Sequence, residues 1–379
     1  MTIMIKHKSY KFKLEPNKEQ ACQINRNIGC SRKIYNLKLE EKLNNSRRKT
    51  EKEYKEEYSF MKEVDSAALQ QARRDFQQAC KNYYNRKKKG EKTSLKFKSK
   101  RNPKNSYRTQ NIRNSIRIDG NRIRIPKVGW VKFKKSREVK GKIKNITVTR
   151  DILGIYRISI TTEEDIPYKP ESDNEVGIDL GIKDFAIDSK CEKYFNPQHL
   201  RKYEEKLKKE QRKLSRKKPG SSNYFKQRQR VFKIHEKIRN TRKDFLHKLS
   251  SKIISDNQVI ILEDLSIDNM RKNHKLAKSI SDASWGKFAH MLEYKADWYG
   301  RQFIKVDKFF PSSKLCSSCG NKNEGLTLSQ RWWTCSMCGI EHDRDLNAAK
   351  NVLHEGKKLL SGRADRNSSS SNETVVPYW

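Results

Sequence analysis

Cys316 and Cys319 form one CxxC pair and Cys335 and Cys338 a second, in the stretch CSSCGNKNEGLTLSQRWWTCSMCG, with fifteen residues between the pairs. Two such knuckles can present four thiolates as a tetrahedron, which is what zinc prefers, and a site closed in this way leaves no position for a substrate. The spacing therefore predicts a structural ribbon holding one zinc ion. A disulfide framework is the poorer reading, because Cys22, Cys30, Cys80 and Cys191 are scattered and the pattern suits a reducing compartment. Directly after the second knuckle comes HDRDLNAAKN. The ribbon either stands free or carries those acids into a larger site.

Three carboxylates bear on that choice. Asp179 sits between Ile178 and Leu180 in EVGIDL, a strand pattern in which a buried acid needs a partner or a cation. Glu263 ends the apolar run VIIL, the edge from which α/β sheets present functional groups. If Asp343 caps a helix, Asp345 falls in its first turn and shares a face with Ala348, Ala349 and Val352. Asp345 then points toward the sheet, Asp343 does not, and the alanines let the helix come close. Two strands and a helix converging three acids is a layout for a pair of magnesium ions, one activating water and the other stabilising a leaving phosphodiester oxygen. Each acid alone could equally serve a salt bridge. Asp184 and Asp188 are alternative ligands.

The charge says what such a site would act on. Lys and Arg number 86 against 45 Asp and Glu, a formal charge of +41 in 379 residues. That excess is spread along the chain and asks for a polyanion, so phosphates are the natural partner. No apolar run approaches a membrane span and the start lacks a hydrophobic signal core, which predicts a soluble, unexported protein with no membrane partner.

Along the chain, SYKFKLEP alternates as a strand. Helical periodicity follows to about Tyr84, with Leu69, Ala72, Phe76, Ala79 and Tyr83 as its core stripe. A basic connector over 85–104 abuts SYRTQN, whose Tyr107, Arg108, Thr109 and Gln110 can stack and hydrogen-bond. SIRIDGNRIRIP reads as a hairpin, and VGWVKFK, IKNITVTR and GIYRISITT as further strands. With the first strand they suggest a small antiparallel barrel into which the helical region is inserted. A basic helical hairpin flanks RKKPGSSN, SWGKFAHMLEYKADWYG reads as a helix, and the Ser-rich tail is expected to be disordered.

These segments closely resemble the TnpB (OrfB) family, RNA-guided nucleases of bacterial insertion sequences related to type V CRISPR effectors. The likeness is carried by YKFKLEPNKEQ, SYRTQN, IPKVGWVKFK, GIDLGIKDFAI, DFLHKLS, EDLSIDNMRKNHKLAKSISDASWGKF, FFPSSKLCSSCG and HDRDLNAAKN. It implies a multidomain α+β fold: an antiparallel wedge β-barrel with an inserted helical recognition lobe, then a RuvC-type RNase H-like α/β nuclease domain with a helical lid insertion and the zinc ribbon. The boundaries read from the sequence are 1–17 for the first wedge strand, 18–95 for the lobe and 96–170 for the barrel. RuvC segments occupy 171–196, 251–314 and 341–354, with the lid at 197–250, the ribbon at 315–340 and a disordered tail at 355–379.

The resemblance further implies catalytic, magnesium-binding Asp179, Glu263 and Asp345 in a DNA endonuclease, with a guide RNA from the transposon end and a double-stranded DNA target. One protein per RNA and a cytoplasmic, nucleoid-associated location are expected. Gln70, Ile112 and Arg113 match positions that contact a short duplex motif beside the target. Ser66 and Ala67 are small where relatives can carry larger groups, so the motif preference does not carry over. Two alternatives stay open: a guided regulator that does not cut, and a zinc-ribbon protein that binds structured RNA. The intact acid triad favours cutting.

Overall fold

The computed structural model describes residues 3–100, 104–327 and 329–369, and its chain divides into two compact units, one formed by 4–166 and the other by 167–379 with the first residues.

The first unit opens with strand β1 (Ile3–Glu15), then helices α1 (Lys18–Leu43), α2 (Glu51–Glu57) and α3 (Ser66–Lys88). Asn17 and Gln20 form a reciprocal capping box that starts α1 sharply after Pro16. Strands β2 (Lys104–Gln110), β3 (Arg117–Asp119), β4 (Arg122–Ile125), β5 (Gly129–Lys134), β6 (Lys142–Asp151) and β7 (Tyr156–Pro167) follow. They join β1 in a seven-stranded sheet of order β2-β6-β7-β1-β5-β4-β3. The helices thus lie along the chain between two strands of one sheet. Among the described residues, β2 and β3 remain the outer strands. Tyr10, Phe12, Leu14, Val131, Phe133, Ile146 and Ile158 alternate inward to build the core.

The second unit is built on strands β8 (Glu175–Leu180), β9 (Asp184–Asp188), β10 (Lys193–Phe195), β11 (Val259–Glu263) and β12 (Gln302–Val306), in the order β10-β9-β8-β11-β12. The strands β8, β11 and β12 are parallel, while β9 pairs antiparallel with β8, and β10 antiparallel with β9. Helices α4 (His199–Ser215), α5 (Ser222–Asp256), α6 (Ile267–Met270), α7 (Ala277–Ala283) and α8 (Trp285–Tyr299) connect them. The hairpin β13 (Trp332–Thr334) and β14 (Glu341–Asp343) leads into α9 (Arg344–Ser369).

Because side chains alternate across a strand, this sheet has two distinct apolar faces. Val176, Ile178, Ile260 and Leu262 face α5 and α8, where Trp285, Phe288 and Leu292 lie buried. Val259, Ile261, Ile304 and Val306 face α9 through Val352 and Leu353.

Two boundaries differ from the sequence reading. Helix α5 runs unbroken past 250, because no Gly or Pro interrupts it; its first half packs Val231, Ile234 and Ile238 on Leu207 of α4. Its second half buries Leu246, Leu249, Ile253 and Ile254 in the sheet core, so the helical insertion has no joint at 250. The tail expected to be disordered from 355 is helical through Ser369, where Leu360 still packs beside Val352; positions 370–379 lie outside the described residues. Among the described residues no helix is long and apolar enough to cross a membrane.

Candidate active site and zinc ribbon

Glu263 closes β11, and Asp179 stands one residue before the end of β8. Leu262 pairs with Ile178, so the two acids are next in register on adjacent parallel strands. Alternation turns both away from the α5 and α8 side and onto the face that α9 covers. The helix lies almost on the backbone of β8: a Cβ at Gly177 would meet the Ala349 carbonyl and come within 2.5 Å of the Leu353 nitrogen. Ala348 and Ala349 are fully buried at this contact. Their small side chains and that glycine bring the first turn of α9, with Asp345, to the two strand acids.

Asp343 starts the helix. Its Oδ1 accepts from the Asp345 backbone N–H at 3.1 Å, and its Oδ2 is held by Lys193 at 3.0 Å. Asp345 instead takes Arg331 at 2.6 Å on one oxygen and Arg344 at 3.0 Å on the other.

Dense surroundings push the Asp179 carboxyl up to about 8, with Glu263 and then Asp345 adding like-charge repulsion. Burial also raises Glu263, against the opposing effect of the Ser312 hydroxyl that donates to its Oε1. A buried carboxyl raised by burial and by neighbouring acids, as Asp179 is, is one that a divalent cation relieves, and oxygen ligands are what magnesium takes. The donor chemistry fits that ion. Asp188, the alternative ligand, is committed elsewhere: it is buried and accepts from the backbone of Lys190 and Glu192 at 2.9 and 2.8 Å and from the Tyr194 hydroxyl at 3.1 Å. Asp184 opens β9 opposite Phe195.

The four ribbon cysteines gather with all sulfurs within 4.8 Å of one another, the one such cluster among the described residues, and this fits a tetrahedral zinc ion. Cys316 and Cys335 are buried, Cys319 and Cys338 exposed. His342 lies buried with its Nε2 at 3.1 Å from the Cys316 sulfur and its ring against Trp333.

The residues expected to touch nucleic acid divide. Gln70 and Arg108 are exposed, Gln110 is half-buried with its amide 3.4 Å from Gln71, and Ile112 and Arg113 protrude in a tight turn. Arg113 and Asn114 both take positive φ, 49° and 58°. Tyr107 is a correction: it is 3% exposed and points into the sheet core, so it cannot stack on a base. In SYRTQN, alternation sends Tyr107 and Thr109 inward and Arg108 outward. Thr109 donates to Asp65, the cap of α3, and thereby ties the helices to β2.

Sequence reasoning missed Arg331, Arg344, Ser312, His342, Asn347 and Asn351. The two asparagines repeat at i and i+4 beside Ala348 and Val352, a buried-face position where an amide needs a partner; that was the available signal.

The chain is strongly basic, Asp179 and Glu263 stand next in register on adjacent parallel strands, and a four-cysteine ribbon leads into the helix that bears Asp345. Three family models match it: OrfB_IS605, described as "Probable transposase", over 157–274; a Cas12f1-like TNB domain over 285–352; and a helix-turn-helix domain of OrfB_IS605 over 4–52. Residues 4–52 here form β1 and the single long α1 rather than two helices at an angle.

A protein of Streptomyces pristinaespiralis named "Putative RNA-guided DNA endonuclease" is 37% identical over 92% of this chain and 89% of its own. One of Escherichia coli (strain K12), "Putative RNA-guided DNA endonuclease InsQ", is 30% identical over 93% of each. The chain belongs to the TnpB (OrfB_IS605) family. A cryo-EM structure of a Cas12f1-sgRNA-target DNA complex aligns over 92% of this chain and 99% of that one at 16% identity, with a TM-score of 0.36, too loose a match to argue from.

Proposed function

We propose that this protein is an RNA-guided DNA endonuclease of a transposable element, cutting both target strands at Asp179, Glu263 and Asp345 in an RNase H-like domain of the RuvC type. The observation that carries the reading is the register that sets Asp179 beside Glu263 on the face covered by α9, where Asp345 begins. The two relatives named above as RNA-guided DNA endonucleases support it.

A guide RNA derived from the transposon end reads the target by base pairing, while lysines and arginines hold the heteroduplex by its backbone. Gln70, Arg108, Gln110, Ile112 and Arg113 face the duplex motif beside the target, and Tyr107 supports them from the core. Each DNA strand then reaches the carboxylates as a single strand. Two magnesium ions held by the three acids would supply an activated water and stabilisation of the leaving oxygen. Asp179 and Glu263 present their carboxylates from rigid strand ends, and α9 fixes Asp345 against them. The zinc ribbon holds the start of α9, and Asp343 caps it.

The test is plasmid cleavage by the ribonucleoprotein purified with its own RNA, on targets matching the guide beside a randomised flank. Magnesium-dependent double-strand cuts, lost in Asp179→Ala with DNA binding retained, are expected. Guide-dependent binding without cutting under any flank would make the protein a regulator instead.

A further inference from the structure

Between the end of β12 and the first zinc knuckle the chain makes a tight turn, in which the Lys314 and Leu315 amides bond the Pro311 carbonyl at 3.0 and 3.2 Å. Such a turn leaves other carbonyls to be paired. Two side chains of α9 supply the donors. The Asn351 amide donates to the carbonyls of Ser312 at 2.8 Å and Leu315 at 2.6 Å. Asn347 donates to the Leu315 carbonyl at 2.6 Å and accepts from the Ser317 N–H at 2.9 Å. Both asparagines are buried, Asn347 1% and Asn351 6% exposed. The turn so held contains Ser312, itself buried, whose hydroxyl donates to Glu263. It also contains Cys316, the first zinc-knuckle sulfur.

We propose that Ser312 is a positioning residue for Glu263, and that Asn347 and Asn351 lock it in place by tying its turn to the helix that carries Asp345. The proposal rests on the nuclease reading for its consequence. One strut then spans all three acids: the turn orients Glu263, the asparagines hold the turn to α9, and α9 fixes Asp345 above Asp179. A carboxylate with one oxygen held by a neighbouring hydroxyl has one orientation to offer an ion, which is how partners outside the ligand set tune metal affinity. Asn351 grips the carbonyl of Ser312, so removing the hydroxyl does not cut the turn from α9.

The test uses the full-length chain as Ser312→Ala, Ser312→Thr and Asn351→Ala. Zinc content is measured by mass spectrometry and Mn²⁺ binding by the EPR signal of the free ion. In the ribonucleoprotein, target DNA binding and single-turnover cleavage are followed against magnesium concentration. Ser312→Ala is expected to keep its zinc and its DNA affinity while Mn²⁺ binding weakens about tenfold and the magnesium needed for half-maximal cleavage rises alike. Ser312→Thr, which keeps the hydroxyl, should stay within about twofold of the parent, and Asn351→Ala should fall between. If the parent binds Mn²⁺ but cuts nothing, the nuclease reading fails while the Mn²⁺ comparison still decides the strut. Unchanged Mn²⁺ affinity in Ser312→Ala overturns it.

Discussion

The guanidinium of Arg331 on the four-cysteine ribbon lies 2.6 Å from the carboxylate of Asp345 on the helix into which the ribbon leads. The ribbon thus returns a positive charge to the site whose third acid it delivers. A guanidinium at that distance competes with a divalent ion for the same oxygen. At its half-exposed position the repulsion of a bound cation is worth about 1 kcal/mol. Arg331→Ala should therefore tighten Mn²⁺ binding about fivefold without loss of zinc. Weaker binding would mean that the arginine organises Asp345 rather than competing for it.

Asp179 gives the site a pH dependence whose sign is fixed. Its carboxyl titrates near 8 in the folded chain and near 3.8 when free of the fold, so the folded state holds a proton that the unfolded state has lost. Without metal, its contribution to stability is intact below pH 3.8 and is lost as pH rises toward 8. Asp179→Asn should be more stable than the parent at pH 8, with the gap closing near pH 4. Thermal melts of the metal-free proteins across that range measure it. Metal binding must also displace this proton, so the affinity of the parent for divalent ions should rise steeply up to about pH 8.

Gly177 allows the close approach of α9 to β8. A side chain there would have to displace the Ala349 carbonyl and the Leu353 backbone, which cannot move without shifting the helix. Gly177→Ala is expected to cost about 3 kcal/mol in stability, within the range for overpacking a tight core. Because Asp345 rides on the same helix, cleavage should fall more than the loss of folded protein explains. Activity scaled to the folded fraction, measured by circular dichroism, separates the two effects.

Much of this architecture was legible in the residues because period and register are local properties. VIILE and EVGIDL read as strands, and the spacing from Asp345 to Ala348, Ala349 and Val352 gave the buried face of α9. The Cys316 and Cys335 pairs announced the ribbon. What escaped depends on contacts between distant segments. Arg331 and Asp345 meet only because β13 pairs with β14, and Ser312 reaches Glu263 only because the turn after β12 folds back across the strand end. The continuity of α5 through 250 escaped because its apolar stripe serves two different partners, α4 and then the sheet, and both packings are contacts between distant segments. Tyr107 was misplaced because an aromatic beside an arginine suits nucleic acid, while alternation along β2 sends the two side chains to opposite faces.

That last difference can be tested directly. The Tyr107 hydroxyl is buried and has no hydrogen-bond partner among the described residues, although Arg108 and Lys98 line the same small cavity. Removing a buried hydroxyl of this kind does not break a bond, and leaving it in place carries a desolvation cost. Tyr107→Phe should therefore hold or raise the melting temperature, by up to about 1 kcal/mol equivalent, and leave RNA and DNA affinity unchanged. Arg108→Ala, on the exposed side of the same strand, should weaken nucleic acid binding and flatten its salt dependence by about one phosphate contact while stability stays the same. A loss of binding in Tyr107→Phe with an unchanged melting curve would return the tyrosine to the interface. The pair of variants thus asks which face of β2 meets the polyanion that the charge of the chain requires.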